Sequence, residues 1–341
     1  MQQAIRAATA VRRRVSPRPW VGAVVVPAGD PGGPGFEGAT DGREGPHAEV
    51  VALRRAGDAA RGATLYCTLE PCSHHGRTPP CADAVVAAGV RRVVVAVEDP
   101  DPRVAGSGLA RMRDAGIDVE VGVGAAAVRE QLRPYLHHRS TGRPFVILKL
   151  AATLDGRTAA PDGSSRWITG PLAREDAHRL RADSDAVLVG AGTVRADDPA
   201  LTVRLPAGEA DGVEPLRVVL GKAPAGARVH PALELSGSPD DVLDELGARG
   251  VLQLLVEGGA RVAHQFHTAG LVDRYVLYLA PALMGGDDAP GLFSGPAVGS
   301  IGELWRGEIV ELRRLGEDLR IDLEPRRDRP IEAGPGVGGG S

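Results

Sequence analysis

Thr68-Leu69-Glu70-Pro71-Cys72-Ser73-His74-His75-Gly76-Arg77-Thr78-Pro79-Pro80-Cys81, read with Pro46-His47-Ala48-Glu49 just upstream, decides how this chain is understood. Two cysteines stand at the ends of a proline-rich turn, and a His-x-Glu pair opens the helical segment before it. Thiolate and imidazole are good zinc ligands, and hydrolytic zinc sites keep three protein ligands and a fourth position for water. His47, Cys72 and Cys81 supply three ligands. Glu49, two residues from the histidine, is placed to reach the water without ligating. A four-ligand structural zinc knuckle, with Cys67 or His74 as the fourth donor, stays open on the residues alone. Cys67 lies mid-strand and reads as a small core residue, and His75 reads as solvated.

The composition fits small-molecule chemistry. A chain of 341 residues can hold two domains, each with its own core. Its 43% hydrophobic and 25% charged residues are those of a soluble globular protein, and no apolar run is long enough to cross a bilayer, so a cytoplasmic location away from membranes is expected. Three cysteines, an odd number, suit metal ligation in a reducing compartment better than disulfides. The net charge of −4 and the aromatic content of 3% give neither the basic stripe nor the stacking platform of a nucleic-acid binder. The arginines of 2–15 suggest a transit peptide, but Ile5, Ala8, Val11 and Val15 recur at helical spacing and predict an ordinary first helix. A homo-oligomer is left open.

Along the chain, 21–26 reads as a buried strand and 27–46 as a loop with room for one weakly marked strand. A helix is expected over 47–56, a strand over 64–68, a helix from Cys81 to 88, a strand over 92–97, a helix over 108–115, a strand over 117–123 and a helix over 126–135. Strands alternating with helices predict a largely parallel, covered sheet. The polar run 137–144 marks the domain boundary. A second series follows: strand 145–150, helix 171–182, strands 186–189 and 217–220, helix 241–248, strand 251–256, helix 260–269, strand 274–279, and a closing antiparallel pair at 309–315 and 319–323. This gives domains 1–142 and 143–325, with 326–341 too rich in Arg, Pro and Gly to bury apolar area. Gly122-Val123-Gly124-Ala125-Ala126-Ala127 is a partial dinucleotide fingerprint without an acidic partner, and reads as a plain strand-to-helix turn.

His-x-Glu with Pro-Cys is the pattern of zinc deaminases, in which water adds to an amidine-like ring carbon and the glutamate carries a proton to departing ammonia. Eight residues separate the cysteines here, against two in nucleoside and nucleic-acid deaminases. That spacing and the Gly-Arg-Thr-Pro-Pro-Cys ending resemble the deaminase half of the bifunctional riboflavin-biosynthesis deaminase-reductase family. The resemblance implies a substrate, a diaminopyrimidinone bearing a phosphoribosylamino group, deaminated to a uracil. Arg77, by charge and position, is the candidate for its phosphate. One departure stands out: the family has Ser-Pro-Asn-Pro where this chain has Ser16-Pro17-Arg18-Pro19. Asparagine both donates and accepts, whereas arginine only donates. Arg18 therefore either binds a ring carbonyl or phosphate or alters rate or substrate.

Three further runs resemble the same family's reductase half. They are Lys149-Leu150-Ala151-Ala152-Thr153-Leu154-Asp155-Gly156, Ser165-Arg166-Trp167-Ile168-Thr169-Gly170, and Val189-Gly190-Ala191-Gly192-Thr193 leading to Asp197-Asp198-Pro199-Ala200-Leu201-Thr202-Val203-Arg204. Glu257-Gly258-Gly259 sits between a strand and a helix, where small residues let a pyrophosphate approach free N–H groups. The resemblance implies an N-terminal cytidine-deaminase-like three-layer α/β domain, a C-terminal dihydrofolate-reductase-like domain, and two cofactors, Zn2+ and NADPH. It implies dinucleotide contacts from Ala151, Trp167, Thr193, Asp197 and Gly259, and substrate contacts from Ser165, Arg181, Leu201, Arg204 and Glu257. Hydride transfer to the sugar carbon would open the ribose to ribityl and needs a proton, for which Lys149 and Asp155 are candidates by position. Two other readings stand beside this one: a deaminase of another base with a reductase half that only binds, and a zinc-stabilised scaffold.

Overall fold

The computed structural model describes residues 1–29, 32–75, 79–206, 208–209 and 214–326. Arg77 and the tail from 327 onward lie outside the described residues.

The first half is built on a sheet ordered β2-β1-β3-β4-β5: β1 (Gly22–Val26), β2 (Phe36–Ala39), β3 (Thr64–Leu69), β4 (Arg92–Val97) and β5 (Asp118–Val121). The pairs β1/β2 and β1/β3 are antiparallel, while β3/β4 and β4/β5 are parallel, so the sheet is mixed rather than largely parallel. The short β-branched run of β1 and the valines of β4 are buried because helices cover both faces. Glycines on adjacent strands show this. A Cβ on Gly22 would strike Ala4 of α1 (Gln2–Val15), and one on Gly38 would lie 2.3 Å from the Ala48 carbonyl oxygen of α2 (Ala48–Ala56). Gly22 pairs with Ala39 and Gly38 with Ala23, so the two glycines point to opposite faces and the half has three layers.

The approach at Gly38 sets the position of α2 and thereby of His47 and Glu49. Gly38→Ala is expected to push α2 away, costing about 1–3 kcal/mol of stability and lowering zinc occupancy, since the obstructing atoms are backbone and cannot rotate aside. Thermal unfolding and metal analysis read both effects, and an unchanged midpoint would refute the prediction.

Beyond β4 come α4 (Ser107–Asp114), α5 (Ala125–Gln131) and α6 (Arg133–Thr141); α3 (Cys81–Ala87) precedes it. The single helix expected over 126–135 is two, and helix continues through the supposed boundary run to Thr141. Pro134 explains the break, since it lacks an N–H and suits a helix's first turn. Gly142, at φ 76°, ends α6.

The second half carries β6 (Phe145–Thr153), α7 (Pro171–Ala182), β7 (Ala186–Gly190), α8 (Ala191–Asp197), β8 (Leu216–Leu220), β9 (Leu233–Leu235), α9 (Pro239–Ala248), β10 (Gln253–Val256), α10 (Ala260–Thr268), β11 (Arg274–Ala280), β12 (Gly307–Leu315) and β13 (Asp318–Pro325). The sheet order is β12-β13-β11-β6-β10-β7-β8-β9. The strands from β11 to β9 in that order are mutually parallel, and β12/β13 close one edge as the expected antiparallel pair. Two apolar clusters fill its faces, one under α7 and α8, the other under α9 and α10. α8 and β9 had no counterpart in the sequence reading.

The halves are joined by polar contacts. Arg12 donates to the Asp183 carbonyl at 3.2 Å and to Gln253 Oε1 at 2.9 Å, Arg13 pairs with Asp183 at 2.7 Å, and His138 Nε2 lies 3.0 Å from the Gly247 carbonyl. No helix among the described residues is long and apolar enough to cross a membrane.

Candidate functional site

His47 caps the start of α2, Cys72 follows the end of β3, and Cys81 is the first residue of α3. Three separate elements thus converge on one point. His47 Nδ1 lies 3.6 Å from Cys72 Sγ and 3.2 Å from Cys81 Sγ, and the Cys81 N–H donates to Cys72 Sγ at 3.4 Å. Tetrahedral zinc with ordinary bond lengths separates nitrogen and sulfur ligands by about 3.5 Å, so the donor set fits that ion in chemistry and spacing. Among the described residues, His47, Cys72 and Cys81 are the group whose ligand atoms lie close enough together to hold a metal ion.

The electrostatics favour thiolate here. The Cys81 thiol holds Cys72 down, to about 4, against burial and with help from His47, while the same contact pushes Cys81 up. His47 is raised, first by its hydrogen bond to Cys72. Glu49, buried in the first turn of α2, is raised by burial against the opposing pull of His47. A carboxylate so placed holds a proton more readily than an exposed one, as proton transfer needs. Cys67 is fully buried and its thiol is pushed well up by burial, while His74 and His75 are exposed. Cys67 and His74 stand outside the three-residue cluster.

His47, Glu49, Cys72 and His74 line a cavity of about 250 Å³ whose walls also include Arg18, Glu70, Asp99, Asp101, Tyr135 and Arg139. Arg18 is held by the carbonyls of Gly42 at 3.1 Å and Gly45 at 3.0 Å.

Sequence reasoning missed Glu70. Its buried carboxylate accepts the N–H groups of Gly106 (3.0 Å), Gly108 (2.9 Å), Leu109 (3.2 Å) and Asp99 (3.3 Å), tying the residue before Pro71-Cys72 to the start of α4. Position within the Thr-Leu-Glu-Pro-Cys run was the only signal. Glu70→Gln keeps one carbonyl oxygen for four donors, so a loss of about 2–4 kcal/mol is expected from buried N–H groups left unpaired. Urea unfolding measures it, with faster amide exchange at 106–109; unaltered exchange there would contradict this role.

In the second half the predicted substrate residues Arg181 and Glu257 form a part-buried bidentate pair at 2.5 and 3.0 Å. Lys149 Nζ stands 3.7 Å from Glu257. Burial pushes Glu257 up, but Arg181 and Lys149 outweigh it and hold the carboxyl at about 2. Arg204 is exposed nearby: its N–H donates to His178 Nδ1 at 3.2 Å and its guanidinium to Thr202 Oγ1 at 3.3 Å. His178, another residue the sequence reading missed, is lowered to about 4 by burial and by Arg181 and Arg204. Leu201 is buried at φ 52°, a strained conformation for a branched side chain that fixes the loop carrying Thr202 and Arg204. Ser165 is half-buried on the connection into α7.

Two of the predicted dinucleotide residues, Thr193 and Gly259, follow the carboxyl ends of neighbouring parallel strands. Gly190-Ala191-Gly192 joins β7 to α8, Glu257-Gly258-Gly259 joins β10 to α10, and the Gly259 N–H donates to Thr193 Oγ1 at 3.1 Å across the two turns. A Cβ at Gly192 would meet only open space, whereas one at Gly258 would strike Val262 at 2.5 Å, so the turn is tight and its backbone accessible. Such a crevice, flanked by helix starts, suits a pyrophosphate, and the residues fit NADPH. Trp167 is 68% exposed with the Arg174 guanidinium over its ring at 4.5 Å, Ala151 is half-buried on β6, and the Asp197 carbonyl accepts from Arg166 at 3.0 Å. Asp155 is engaged elsewhere: Thr153 and the N–H groups of Met284 and Gly285 donate to it, holding it at about 2.

The fold and these two clusters define a zinc deaminase joined to a pyridine-nucleotide reductase. Comparison with known proteins agrees. The family model for the RibD C-terminal domain matches residues 144–321, and that for the cytidine and deoxycytidylate deaminase zinc-binding region matches 1–97. Riboflavin biosynthesis protein RibD of Escherichia coli (strain K12) is 40% identical, aligned over 95% of this chain and 98% of that one. The RibD protein of Mycobacterium tuberculosis (strain ATCC 25618 / H37Rv) is 44% identical over 96% of each. The solved structure of Acinetobacter baumannii RibD (form 1) superposes with a TM-score of 0.89 at 38% identity, covering 96% of this chain and 98% of that one. A Thermotoga maritima structure, described as a diaminohydroxyphosphoribosylaminopyrimidine deaminase/5-amino-6-(5-phosphoribosylamino)uracil reductase, gives 0.85 at 34% identity over 96% and 97%.

The chain belongs to the RibD family of riboflavin-biosynthesis proteins, with a cytidine-deaminase-like first half and a RibD-type reductase second half. It is a bifunctional deaminase and reductase acting on a small pyrimidine, with zinc and NADPH as its cofactors. Relatedness across both halves disfavours the readings as a scaffold or as a deaminase with an idle second domain.

Proposed function

We propose that the first half, taken as residues 1–142, hydrolytically deaminates a diaminopyrimidinone carrying a phosphoribosylamino group, and that the second, residues 143–325, reduces the ribosyl group of the product to ribityl, in the cytoplasm. The observation that carries this is the convergence of His47, Cys72 and Cys81, with His47, Cys72 and buried Glu49 lining one cavity. When bound by those three residues, zinc supplies a Lewis acid that makes water nucleophilic near neutral pH. Glu49 takes the proton of the attacking water and passes it to the departing amine, so that C–NH2 and water become C=O and ammonia. Arg18, fixed by two carbonyls at the cavity, donates to the pyrimidine carbonyl where an asparagine would both donate and accept.

In the second half, the turns at Gly190–Gly192 and Gly258–Gly259 would receive the pyrophosphate of NADPH, which supplies the hydride. Ala151, Trp167, Thr193 and Asp197 line its course, and Ser165, Leu201 and Arg204 face the substrate with Arg181. Glu257 fixes Arg181 and Lys149. Of the two proton-source candidates we favour Lys149, because the Asp155 carboxylate is occupied by Thr153 and two backbone donors. A two-step assay on the purified protein tests the proposal. Ammonia release from the phosphoribosyl diaminopyrimidine should precede substrate-dependent NADPH oxidation, and NADPH oxidation without prior ammonia release would reject it.

A further inference from the structure

The wall of the deaminase cavity contains an arginine that neither motif nor spacing singled out. Arg139 lies in α6 with its guanidinium 5.3 Å over the Tyr135 ring, and Tyr135 is itself fixed by donating to Asp99 at 3.0 Å. The Arg139 Nε is buried and has no hydrogen-bond partner among the described residues. By contrast, the acids around this cavity already have donors. Glu70 takes four backbone N–H groups, Asp99 takes Tyr135 and the Asp101 N–H, and Asp101 is gripped by Arg103 at 2.7 and 3.0 Å. Arg139 therefore brings a planar cation, stacked on Tyr135 and with its Nε unpaired, into a cavity whose carboxylates already have donors. An unpaired buried donor is costly, and a group that completes it is bound strongly.

Which end of a substrate it meets follows from its neighbours. Arg139 lies against Tyr135, whose hydroxyl meets Asp99, and none of these three belongs to the cluster of His47, Cys72 and Cys81. The reacting ring must lie against His47, Cys72 and Glu49, so Arg139 meets the far end. Guanidinium presents a fork of donors that matches a phosphate.

Resting on the phosphorylated-substrate reading above, we propose that Arg139, held flat by Tyr135, binds the phosphate of the deaminase substrate and sets the preference for a phosphorylated pyrimidine. The test compares kcat/KM of ammonia release for the phosphoribosyl diaminopyrimidine with that for the same compound lacking phosphate, in wild type, Arg139→Leu and Arg139→Lys. The ratio of the two is expected to fall about 10- to 100-fold in Arg139→Leu, mainly through KM, and to recover in part in Arg139→Lys. Zinc content and NADPH oxidation by the same preparations establish that the variants are folded. An equal loss on both compounds, as a structural role or a ring contact would give, overturns the proposal, as does an unchanged ratio. Wild-type protein that deaminates neither compound overturns the underlying deaminase reading and this inference with it.

Discussion

Glu49→Gln is expected to retain zinc and to lower ammonia release by about three orders of magnitude, within the range general acid–base groups contribute. Metal ligation and proton transfer fall to different residues. The ligand cluster is His47, Cys72 and Cys81, and Glu49 is not part of it, so replacing a carboxylate by an amide of the same shape leaves metal binding intact. Burial raises Glu49, as suits a group that takes up and releases a proton. Glutamine cannot take the proton from water or return it to the leaving amine. Metal analysis with an ammonia assay settles the outcome. Zinc lost together with activity would make Glu49 a structural support, and activity retained would place the proton transfer elsewhere. NADPH oxidation with the deaminated substrate supplied directly should be unaffected, because the second site shares no group with Glu49.

What made this site legible was its locality. Cys72 and Cys81 bracket one turn, and His47 and Glu49 open one helix, so residue type and spacing carried the chemistry. The rest of the cavity was not legible, because its walls come from far along the chain. Tyr135 and Arg139 reach it from α6, across a segment read as a helix ending at 135 followed by a turn-rich boundary. Had the helix been continued past Tyr135, residues 135 and 139 would have fallen one turn apart on one face. Glu70 was visible, but its role depends on four amides that only the folded loop brings together.

The same distinction governs the fold. Strands such as β4 and β7 announce themselves as β-branched runs, whereas β2, Phe-Glu-Gly-Ala amid glycines and prolines, forms because β1 and α2 give it partners. α8 opens on Gly-Ala-Gly, a poor helix start by propensity, and exists because its first turn abuts the β10–α10 turn through Thr193. In both cases tertiary contact overrides a weak local signal.

Glu257→Ala is expected to abolish substrate reduction and also to destabilise the protein, by about 3–5 kcal/mol, because it strands the buried Arg181 cation. The pair at 2.5 and 3.0 Å is enclosed, and Lys149 stands 3.7 Å from the same carboxylate. Removing the acid leaves the positive charges of Arg181 and Lys149 without the carboxylate between them. Glu257→Gln separates the two consequences. It preserves the packing and one acceptor for Arg181, so more of the stability should survive, while the charge that holds Arg181 and Lys149 in place is lost and NADPH oxidation still falls. The pH dependence carries the same signature. The folded carboxyl is held at about 2 against an ordinary value of 4.5, so its stabilisation is complete above 4.5 and lost as pH falls from there through 2. Wild-type protein should therefore lose about 3 kcal/mol more than Glu257→Gln between pH 5 and pH 2, measured by denaturant unfolding. Parallel pH profiles would show that the carboxylate is not ion-paired in solution, and undiminished NADPH oxidation in either variant would remove Glu257 from the reductase site.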